Sequence, residues 1–317
     1  MKKASQNRAE NAAARQQAEI LIEALPWIKQ ATGKTIVIKY GGAAMTDPKL
    51  RDAVVSDIVL MKIIGLNPIV VHGGGNDISK VCKVFGLPVE FKKGMRVTDD
   101  ATMEVVKMVL LGKVNQELVS AFNAHGHLAV GLSGADAGVL HAQQMDPELG
   151  RVGYIDHVDT TIIEDLISAD YIPVIATVAV GDDGGAYNVN ADLAAGQIAA
   201  AIGAQKVIFL TDVDGLYEDF ADKSSLISSL TASEAEGLDL SKGMIPKINA
   251  CITALKAGVP RAHILNGTTP HSMLLEVFTD AGVGTMIEPD GDMEAVDFVE
   301  YPLTNLAAKL AVNDSNE

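Results

Sequence analysis

The sequence predicts an α/β protein: a three-layer αβα sandwich with a mainly parallel central sheet, preceded by an N-terminal helix. Short β-branched runs alternate with longer segments of helical period from residue 35 onward, as in βαβ units. The runs are apolar throughout, which is typical of parallel strands covered by helices on both faces. With 317 residues, 48% hydrophobic and 21% charged, the chain has the composition of an ordinary globular protein with a large core.

The predicted elements follow in order along the chain. The first four, strand-helix-strand-helix, are Thr35 to Tyr40, Leu50 to Ile64, Pro68 to His72 and Asp77 to Phe85. Further strand-like runs begin at Leu128, Ile172, Lys206 and Ala262. Residues 135–159 interrupt the alternation with glycines and polar residues, which indicates hairpins or loops inserted near the middle of the molecule.

Both termini are predicted as separate elements. Residues 1–30 are expected to form an N-terminal oligomerisation helix, because Leu21, Leu25 and Ile28 recur at helical spacing and leave an apolar stripe in need of a partner surface. Packing of this helix on its own lobe is the alternative. Residues 289–317 are read as an acidic C-terminal tail.

Charge and composition limit the classes of function. A formal net charge of -16 argues against nucleic acid as the main partner. No apolar run approaches the roughly 20 residues that span a bilayer, and the N-terminus fits a secretory signal poorly, so no membrane partner and a cytoplasmic location are expected. Cys82 and Cys251 are read as buried thiols, and no cluster of His, Cys and carboxylates at ligand spacing indicates a protein-bound metal.

The first candidate site is the turn after the first strand, where Lys39 precedes Gly41 and Gly42. Open α/β sheets bind ligands at the carboxyl ends of their strands. Paired glycines let the backbone approach an anion, and a lysine there can neutralise charge on a phosphoryl group. The alternative is a solvent-exposed lysine beside a plain turn.

The second candidate site is the turn after the second strand, where His72 precedes Gly73, Gly74 and Gly75. The turn leads into a helix, so its N–H groups and the positive end of the helix dipole together predict an anion nest. Three glycines in a row are costly for a merely structural turn. His72 itself is read as a structural hydrogen-bonding residue more readily than as a catalyst.

Neither turn is the dinucleotide fingerprint or the common phosphate loop. The two turns instead resemble, in order along the chain, motifs of the acetylglutamate kinases of the amino-acid kinase family. The further motifs that carry this resemblance are Gly94–Thr98, Tyr187–Asp192, Leu210–Tyr217 and Gly243–Lys247. The match covers about residues 15 to 288, most of the chain.

The resemblance implies the amino-acid kinase fold and transfer of the γ-phosphoryl of ATP to the side-chain carboxylate of N-acetyl-L-glutamate, in arginine biosynthesis. ATP would carry Mg²⁺ with it, without a dedicated protein metal site. Residues 31–190 would form the acetylglutamate-binding lobe and residues 191–288 the ATP-binding lobe.

The resemblance also implies roles for individual residues. The catalytic group would be Lys39, Lys247 and Asp192, with Asp192 orienting the two lysines. The substrate would be bound by Gly74, Gly75, Arg96, Asn188 and Asn190. Phosphates and nucleotide would be bound by Gly41, Gly42, Thr211, Asp212, Val213, Asp214, Gly215, Leu216, Tyr217, Leu240 and Ser241.

Each of these roles has a simpler alternative. Arg96 could lie in a surface ion pair, and Lys247 could be a solvated helix lysine. The Asn188-x-Asn190-x-Asp192 pattern could form a capped loop; if extended, it would point all three side chains the same way. Asp212 and Asp214 could only cap their turn.

The two terminal features resemble those of the family's arginine-inhibited, hexameric members. His271, Glu276 and Gly282 lie in the segment that resembles their arginine site, with Glu276 and Gly282 matching effector contacts. The resemblance therefore implies a homo-oligomer, a dimer at least and a hexamer if the N-terminal helices interlace, with L-arginine as inhibitor.

Three other functions remain open at this stage. Another kinase of the same fold, acting on glutamate, aspartate, carbamate or a nucleotide, would share the glycine turns but not the motifs around Arg96 and Asn188. A non-catalytic ligand-binding regulator is disfavoured by the presence of both Lys39 and Lys247. A nicotinamide dehydrogenase is disfavoured by the missing fingerprint.

Overall fold

The computed structural model describes residues 22, 24–42, 45, 47–92, 94–238, 240, 243–278 and 282–291. Most of the predicted N-terminal helix, nearly all of the acidic tail and Ser241 therefore lie outside the described residues.

Sixteen strands are present in the described part of the chain. In chain order they are β1 (Thr35–Tyr40), β2 (Asn67–His72), β3 (Phe91–Lys92), β4 (Met95–Arg96), β5 (Ala129–Ser133), β6 (Leu140–Gln144), β7 (Gly153–Val158), β8 (Ile172–Ala176), β9 (Val178–Val180), β10 (Ala186–Asn188), β11 (Lys206–Thr211), β12 (Leu216–Tyr217), β13 (Leu226–Ile227), β14 (Ser229–Thr231), β15 (Arg261–Asn266) and β16 (Thr285–Glu288).

Three short 3-10 helices (Asp136–Gly138, Pro147–Leu149 and Lys223–Ser225) lie in connections between strands, and the other described helices join many of the strands. These other helices are α1 (24–31), α2 (Pro48–Ile63), α3 (Gly75–Val84), α4 (Asp100–Lys107), a π-helix (Met108–Asn115), α5 (Gln116–Asn123), α6 (Thr161–Ser168), α7 (Ala191–Ala201), α8 (Ala232–Glu236), α9 (Ile245–Lys256) and α10 (Ser272–Phe278).

The central sheet has eight strands in the order β14-β16-β15-β11-β1-β2-β8-β5. All its neighbouring pairs are parallel except β15 with β16. Tyr40 at the end of β1 is in register with His72 at the end of β2, and Thr211 at the end of β11 with Asn266 at the end of β15. The turns that follow β1, β2 and β11 therefore lie along one edge of the sheet.

The core lies on both faces of this sheet, as the continuous apolar strands predict. Val37, Ile69 and Val207 belong to one buried cluster, whereas their neighbours along the strands, such as Ile38 and Val70, belong to the other. Successive side chains of a strand point to opposite faces, so each strand contributes to both clusters. The three-layer αβα prediction is confirmed.

The interruption at residues 135–159 contains a hairpin, as predicted, and this hairpin belongs to a smaller sheet that also includes β9 and β10. Strands β6 and β7 form an antiparallel hairpin, and the sheet order is β10-β9-β6-β7. The short hairpin β3–β4 stands apart from both sheets and carries Arg96. The smaller sheet and this hairpin lie near the carboxyl ends of β1 and β2. Asn188, at the end of β10, and Arg96 both lie beside the glycine turns that follow these two strands.

Helix α1 is the described part of the predicted N-terminal helix. Leu25 is 56% exposed, while Trp27 and Ile28 are partly buried, so the apolar stripe is only partly covered within this chain. Among the described helices, none has the length and apolarity needed to cross a bilayer.

Candidate active site

A cleft of about 320 Å³ opens at the carboxyl edge of the central sheet, between the turns after β1 and β2 and the segment that joins β10 to α7. Nine of the predicted site residues line it: Lys39, Gly41, Gly42, Gly74, Gly75, Arg96, Asn188, Asn190 and Asp192. These residues come from four segments that are far apart in sequence. The parallel register of β1 and β2 brings the two glycine turns together, as the sequence predicts.

Asp192, which lines the cleft, is a carboxylate held between two ammonium groups: Lys39 also lines the cleft, and Lys247 reaches Asp192 from α9 without being a lining residue. Lys39 Nζ lies 3.0 Å from Asp192 Oδ1, and Lys247 Nζ lies 3.0 Å from Asp192 Oδ2. The side chains are 12%, 15% and 8% exposed for Lys39, Lys247 and Asp192. Two ammonium groups against one carboxylate leave an excess positive charge in a poorly hydrated place, which favours an anion.

The pKa values reflect this arrangement. Burial lowers the pKa of Lys39, the Asp192 carboxylate opposes that effect, and Lys247 adds to it; the net direction is downward. Burial disfavours the charged form of Asp192, but the two lysines outweigh it and the pKa of this carboxyl lies below its usual range. Asp192 therefore stays ionised between the lysines and acts as their common counter-ion.

Close packing of two helices places Asp192 beside Lys247. Asp192 lies in the first turn of α7 and Lys247 in the first turn of α9. Gly196 of α7 faces the backbone of α9: a Cβ added there would lie 2.7 Å from the carbonyl oxygen of Ala250. The missing side chain lets the helices approach, so the distance between carboxylate and ammonium depends on this glycine.

The glycine turns supply free N–H groups. The N–H groups of Gly41, Gly42 and Gly74 have no hydrogen-bond acceptor among the described residues. Gly42 has a φ of +72°, which favours glycine, and a Cβ on Gly74 would lie 2.7 Å from the Leu110 side chain. Gly75 begins α3, so the positive end of that helix dipole adds to the predicted anion nest.

Arg96 enters the cleft from the β3–β4 hairpin. The residue is 7% exposed; its Nη2 donates to Gly75 O at 2.8 Å and to Ser79 Oγ at 2.7 Å, and its guanidinium lies 4.7 Å from the centre of the Phe91 ring. Nη1 is buried and has no hydrogen-bond partner among the described residues. Arg96 lines the cleft, and no ion pair of its guanidinium is found among the described residues, so a carboxylate or phosphate ligand suits it better than the surface ion pair considered above.

Asn188 and Asn190 both line the cleft, but their side chains make different hydrogen bonds. Asn188 Nδ2 donates to Thr98 Oγ1 at 3.2 Å. Asn190 caps α7, its Oδ1 accepting from the N–H groups of Asp192 (2.9 Å) and Leu193 (3.1 Å). The segment is thus not extended throughout: the chain turns into a helix after Asn190 because that side chain satisfies the first helical amides.

The predicted nucleotide segment follows β11, next to β1. The negative charge of Asp212 weakly opposes the net downward shift in the pKa of Lys39. Asp214 instead accepts from Asn266 Nδ2 at 2.7 Å and from Tyr217 Oη at 2.8 Å, as expected for a residue that holds its turn. Residues 211–217 and Leu240 are not among the described residues lining the cleft, and their nucleotide role stays a prediction.

Of the three residues in the predicted arginine site, two lie together. Glu276 accepts from Val283 N–H at 2.8 Å and pairs with His263 Nδ1 at 2.8 Å, and a Cβ on Gly282 would lie 3.5 Å from its carboxylate. Burial opposes ionisation of Glu276, but these hydrogen bonds hold its pKa below the usual range. His271 instead bonds Asp57 of α2 at 2.6 Å.

Sequence reasoning missed Arg151, which joins two parts of the cleft. The backbone N–H of Arg151 donates to Thr98 O at 2.6 Å, and its backbone carbonyl oxygen accepts from the Asn188 N–H at 2.8 Å. The guanidinium pairs with Asp100 at 2.9 Å and Asp183 at 2.6 Å. These partners are 51 and 32 residues away in sequence, so no local motif signals the contact.

Comparisons with known proteins agree with this geometry. The model of the amino acid kinase family matches residues 34–266. The acetylglutamate kinase of Caldanaerobacter subterraneus subsp. tengcongensis is 53% identical over 276 residues, covering 85% of this chain and 92% of the relative. The acetylglutamate kinase of Bifidobacterium longum subsp. infantis is 50% identical over 290 residues, covering 88% and 95%.

A solved structure shares the fold. The N-acetylglutamate synthase of Neisseria gonorrhoeae complexed with coenzyme A and N-acetyl-glutamate is 25% identical with a TM-score of 0.77, covering 86% of this chain and 63% of that one. Its complex with coenzyme A and L-arginine gives a TM-score of 0.71, covering 84% and 64%. This chain spans less than two thirds of the synthase. By its matched family model and its relatives, the chain belongs to the amino acid kinase family and, within it, to the acetylglutamate kinases.

Proposed function

We propose that this chain transfers the γ-phosphoryl group of ATP to the side-chain carboxylate of N-acetyl-L-glutamate, giving N-acetyl-L-glutamyl 5-phosphate and ADP. The observation that carries the proposal is the cleft with an excess of buried positive charge, two glycine turns and an unpaired arginine edge. Relatives about half identical in sequence carry the name of this activity.

The residues divide the reaction between binding and charge stabilisation. Arg96 and Asn188 would hold the α-carboxylate end of acetylglutamate, which leaves its side-chain carboxylate free to face the lysines. A carboxylate oxygen attacks the γ-phosphorus, the bond to the β,γ-bridging oxygen breaks, and its electron pair leaves with ADP. The nucleophile carries no proton at neutral pH, so no general base is needed.

Lys39 and Lys247 would neutralise the charge that spreads over the transferring phosphoryl oxygens. Phosphoryl transfer depends mainly on positioning and on such charge stabilisation. Asp192 orients both ammonium groups, and the N–H groups of the glycine turns add donors. No cluster of His, Cys, Asp or Glu suited to a metal ion is found among the described residues, and Mg²⁺ would be bound by the ATP phosphates.

The direct test measures ADP release with a panel of acceptors: N-acetyl-L-glutamate, L-glutamate, N-acetyl-L-aspartate, carbamate and N-acetyl-L-glutamine. The proposal expects turnover with N-acetyl-L-glutamate to exceed that with each of the others by at least about 100-fold, because a site built for one set of polar groups rejects ligands that leave them unpaired. Preference for a different acceptor would retain the kinase class and overturn the substrate.

Arg96→Ala is expected to raise the KM for acetylglutamate by about 10- to 100-fold, the effect of losing a charge-assisted bidentate contact, and to change kcat much less. The bound carboxylate is remote from the transferred group, so the loss falls on binding. Initial rates at varied acetylglutamate and saturating ATP give both constants. Arg261→Ala removes an arginine whose ion pair with Glu288, at 3.4 Å, is solvent-exposed, and serves as the control. An increase confined to the KM for ATP would contradict the role of Arg96.

The proposal also includes the division of the chain into two lobes and the position of the nucleotide. Residues 31–190 form the acetylglutamate lobe and residues 191–288 the ATP lobe, with residues 211–217, Leu240 and Ser241 at the nucleotide. The position of the 211–217 turn supports this, since it follows a strand adjacent to β1 at the same edge as Lys39. The protein acts in the cytoplasm, in arginine biosynthesis.

Regulation by L-arginine through a hexamer is also proposed. A partly covered apolar stripe on α1 and a buried carboxylate, Glu276, next to Gly282 support it: the stripe needs a partner surface, and a carboxylate suits a guanidinium. A structural relative has been crystallised with L-arginine. Bound arginine would widen the catalytic cleft.

Deleting residues 1–30 is expected to give active dimers whose inhibition by arginine is weakened, because the deletion removes the proposed bridge between dimers. Sedimentation gives the oligomeric state, and activity against arginine concentration gives the inhibition. Glu276→Gln in the full-length chain should weaken inhibition about 10-fold or more while the hexamer persists. A full-length protein that sediments as a dimer and ignores millimolar arginine would overturn the regulatory proposal and leave the kinase activity intact.

A further inference from the structure

His72 is a fully buried side chain at the end of β2, immediately before the glycine turn. Its Nδ1 lies 3.1 Å from the carbonyl oxygen of Gly73, and its Nε2 lies 3.0 Å from Asn115 Nδ2. Asn115 is itself buried, 3% exposed, and its Nδ2 also donates to Val174 O at 2.9 Å. The roles proposed above do not use either residue.

The hydrogen bonds fix one tautomer of His72. The carbonyl oxygen of Val174 can only accept, so the nitrogen of the Asn115 amide must face it. That same nitrogen faces His72 Nε2, which must therefore be the acceptor. The ring proton then lies on Nδ1 and is donated to Gly73 O. Burial lowers the pKa of His72 to about 4, so the ring stays neutral at physiological pH.

This tautomer orients the first peptide of the anion nest. In a trans peptide the C=O and the following N–H point in opposite directions. With the Gly73 carbonyl held by the imidazole, the Gly74 N–H is turned away from it, toward the open side of the turn. Gly73 and Gly74 both line the cleft, and the Gly74 N–H has no acceptor among the described residues.

The π-helix supports the same turn. It ends at Asn115, and its Leu110 packs so closely under Gly74 that a Cβ there would lie 2.7 Å away. The Asn115 amide also requires a glycine on β5: a Cβ on Gly131 would lie 1.9 Å from Asn115 Oδ1. π-Helical segments within α-helices often occur at functional sites. Here the segment places Leu110 and Val114 against Gly74, and Asn115 against the imidazole of His72.

We propose that His72, held as its Nδ1–H tautomer by Asn115, is a positioning residue that keeps the Gly74 N–H directed at the transferring phosphoryl group. The proposal rests on the proposed phosphoryl transfer for the identity of the anion. Neither residue touches substrate; both act through the peptide between Gly73 and Gly74.

Two substitutions of His72 separate this role from a merely structural one. In His72→Asn the amide nitrogen replaces Nδ1 and keeps the bond to Gly73 O, but Asn115 loses its partner. In His72→Gln the longer side chain reaches Asn115, but no donor remains at the position of Nδ1. The proposal therefore expects opposite rankings: His72→Asn retains kcat within about 3-fold and melts lower, whereas His72→Gln melts closer to the wild type and loses about 10- to 100-fold in kcat.

Asn115→Ala, with Asn123→Ala as its matched control, extends the test. Asn123 also bonds backbone groups, those of Leu128 and Ala129 at the start of β5. Unlike Asn115, it makes no hydrogen bond to His72, and it is not among the described residues that line the cleft. Both variants should melt lower, and only Asn115→Ala should lose about 10-fold or more in kcat. Equal loss of activity in the two, or normal turnover of His72→Gln, would overturn the proposal.

A measurement without turnover keeps this inference separate from the proposed function. The ¹⁵N chemical shifts of the His72 ring in the full-length protein report which nitrogen carries the proton. The Nδ1–H tautomer is expected in the wild type between pH 6 and 8, roughly two units or more above the pKa of about 4. An Nε2–H tautomer would overturn the proposal whichever acceptor the enzyme phosphorylates.

Discussion

Lys247→Ala and Lys39→Ala are each expected to lower kcat by about 10³-fold while the protein stays folded. Each lysine supplies charge to the transferring phosphoryl group in a poorly hydrated cleft, where one such donor is worth about 3–4 kcal/mol in the transition state. The KM values should change less than kcat, because the charge develops only as the bond to ADP breaks.

Lys256→Ala is the matched control for both substitutions. Lys256 lies on the same helix as Lys247, and its ion pair with Glu236, at 2.8 Å, is exposed to solvent. Its removal should leave kcat unchanged, since exposed pairs contribute little. Single-turnover rates of the three variants test these expectations, and circular dichroism establishes that each variant is folded. A folded Lys39→Ala or Lys247→Ala enzyme with near-normal turnover would remove that lysine from the mechanism.

Asp192→Asn is the second change with a large expected effect. It leaves the two ammonium groups 3.0 Å from a neutral amide in place of the carboxylate that they share. The carboxylate raises the pKa of Lys39 against burial and the charge of Lys247. Without it the pKa falls further, and Lys39 loses its proton at a lower pH.

Asp192→Asn is therefore expected to change how kcat depends on pH. Transfer needs Lys39 protonated, so activity falls as pH rises through its pKa, and the alkaline limb of kcat should move to lower pH in Asp192→Asn. We expect kcat at pH 8 to fall by about 100-fold, with partial recovery toward pH 6. Rates between pH 5.5 and 10 test this. Asp214→Asn, which alters an aspartate bonded to Asn266 and Tyr217, should keep the wild-type limb. An unchanged limb in Asp192→Asn would contradict the role of Asp192.

The fold was predictable because its signal is local. The apolar runs that begin at Thr35, Ile172 and Lys206 are strands in the central sheet, because only a core on both faces accepts continuous Val and Ile. Helix ends were predicted less well. Helix α2 begins at Pro48 rather than at Leu50, since Asp47 caps it and the proline has no amide to satisfy.

The candidate site was predictable where a motif marks it. The glycine turns follow strands, and parallel strands place their turns at one edge, so Lys39 and Gly74 lie together there. Arg96 reaches the same cleft from a separate hairpin, and only its motif marked it in the sequence. The capping role of Asn190 corresponds to the capped-loop alternative that the sequence left open.

The bridging role of Arg151 was not predictable, because its partners Asp100 and Asp183 are distant in sequence. The contact of Asn115 with His72 was not predictable either. The two residues are 43 positions apart, and Asn115 ends a π-helix that no sequence pattern indicated.

The central claim is that the acceptor is the side-chain carboxylate of N-acetyl-L-glutamate. An acyl phosphate formed there reacts with hydroxylamine to give a hydroxamate, which mass spectrometry locates on the side chain or on the α-carboxyl group. Our account predicts a side-chain hydroxamate in amounts equal to the ADP released, none with N-acetyl-L-glutamine, and almost none with the Lys247→Ala enzyme. A hydroxamate on the α-carboxyl group, or ADP released without any hydroxamate, would contradict it.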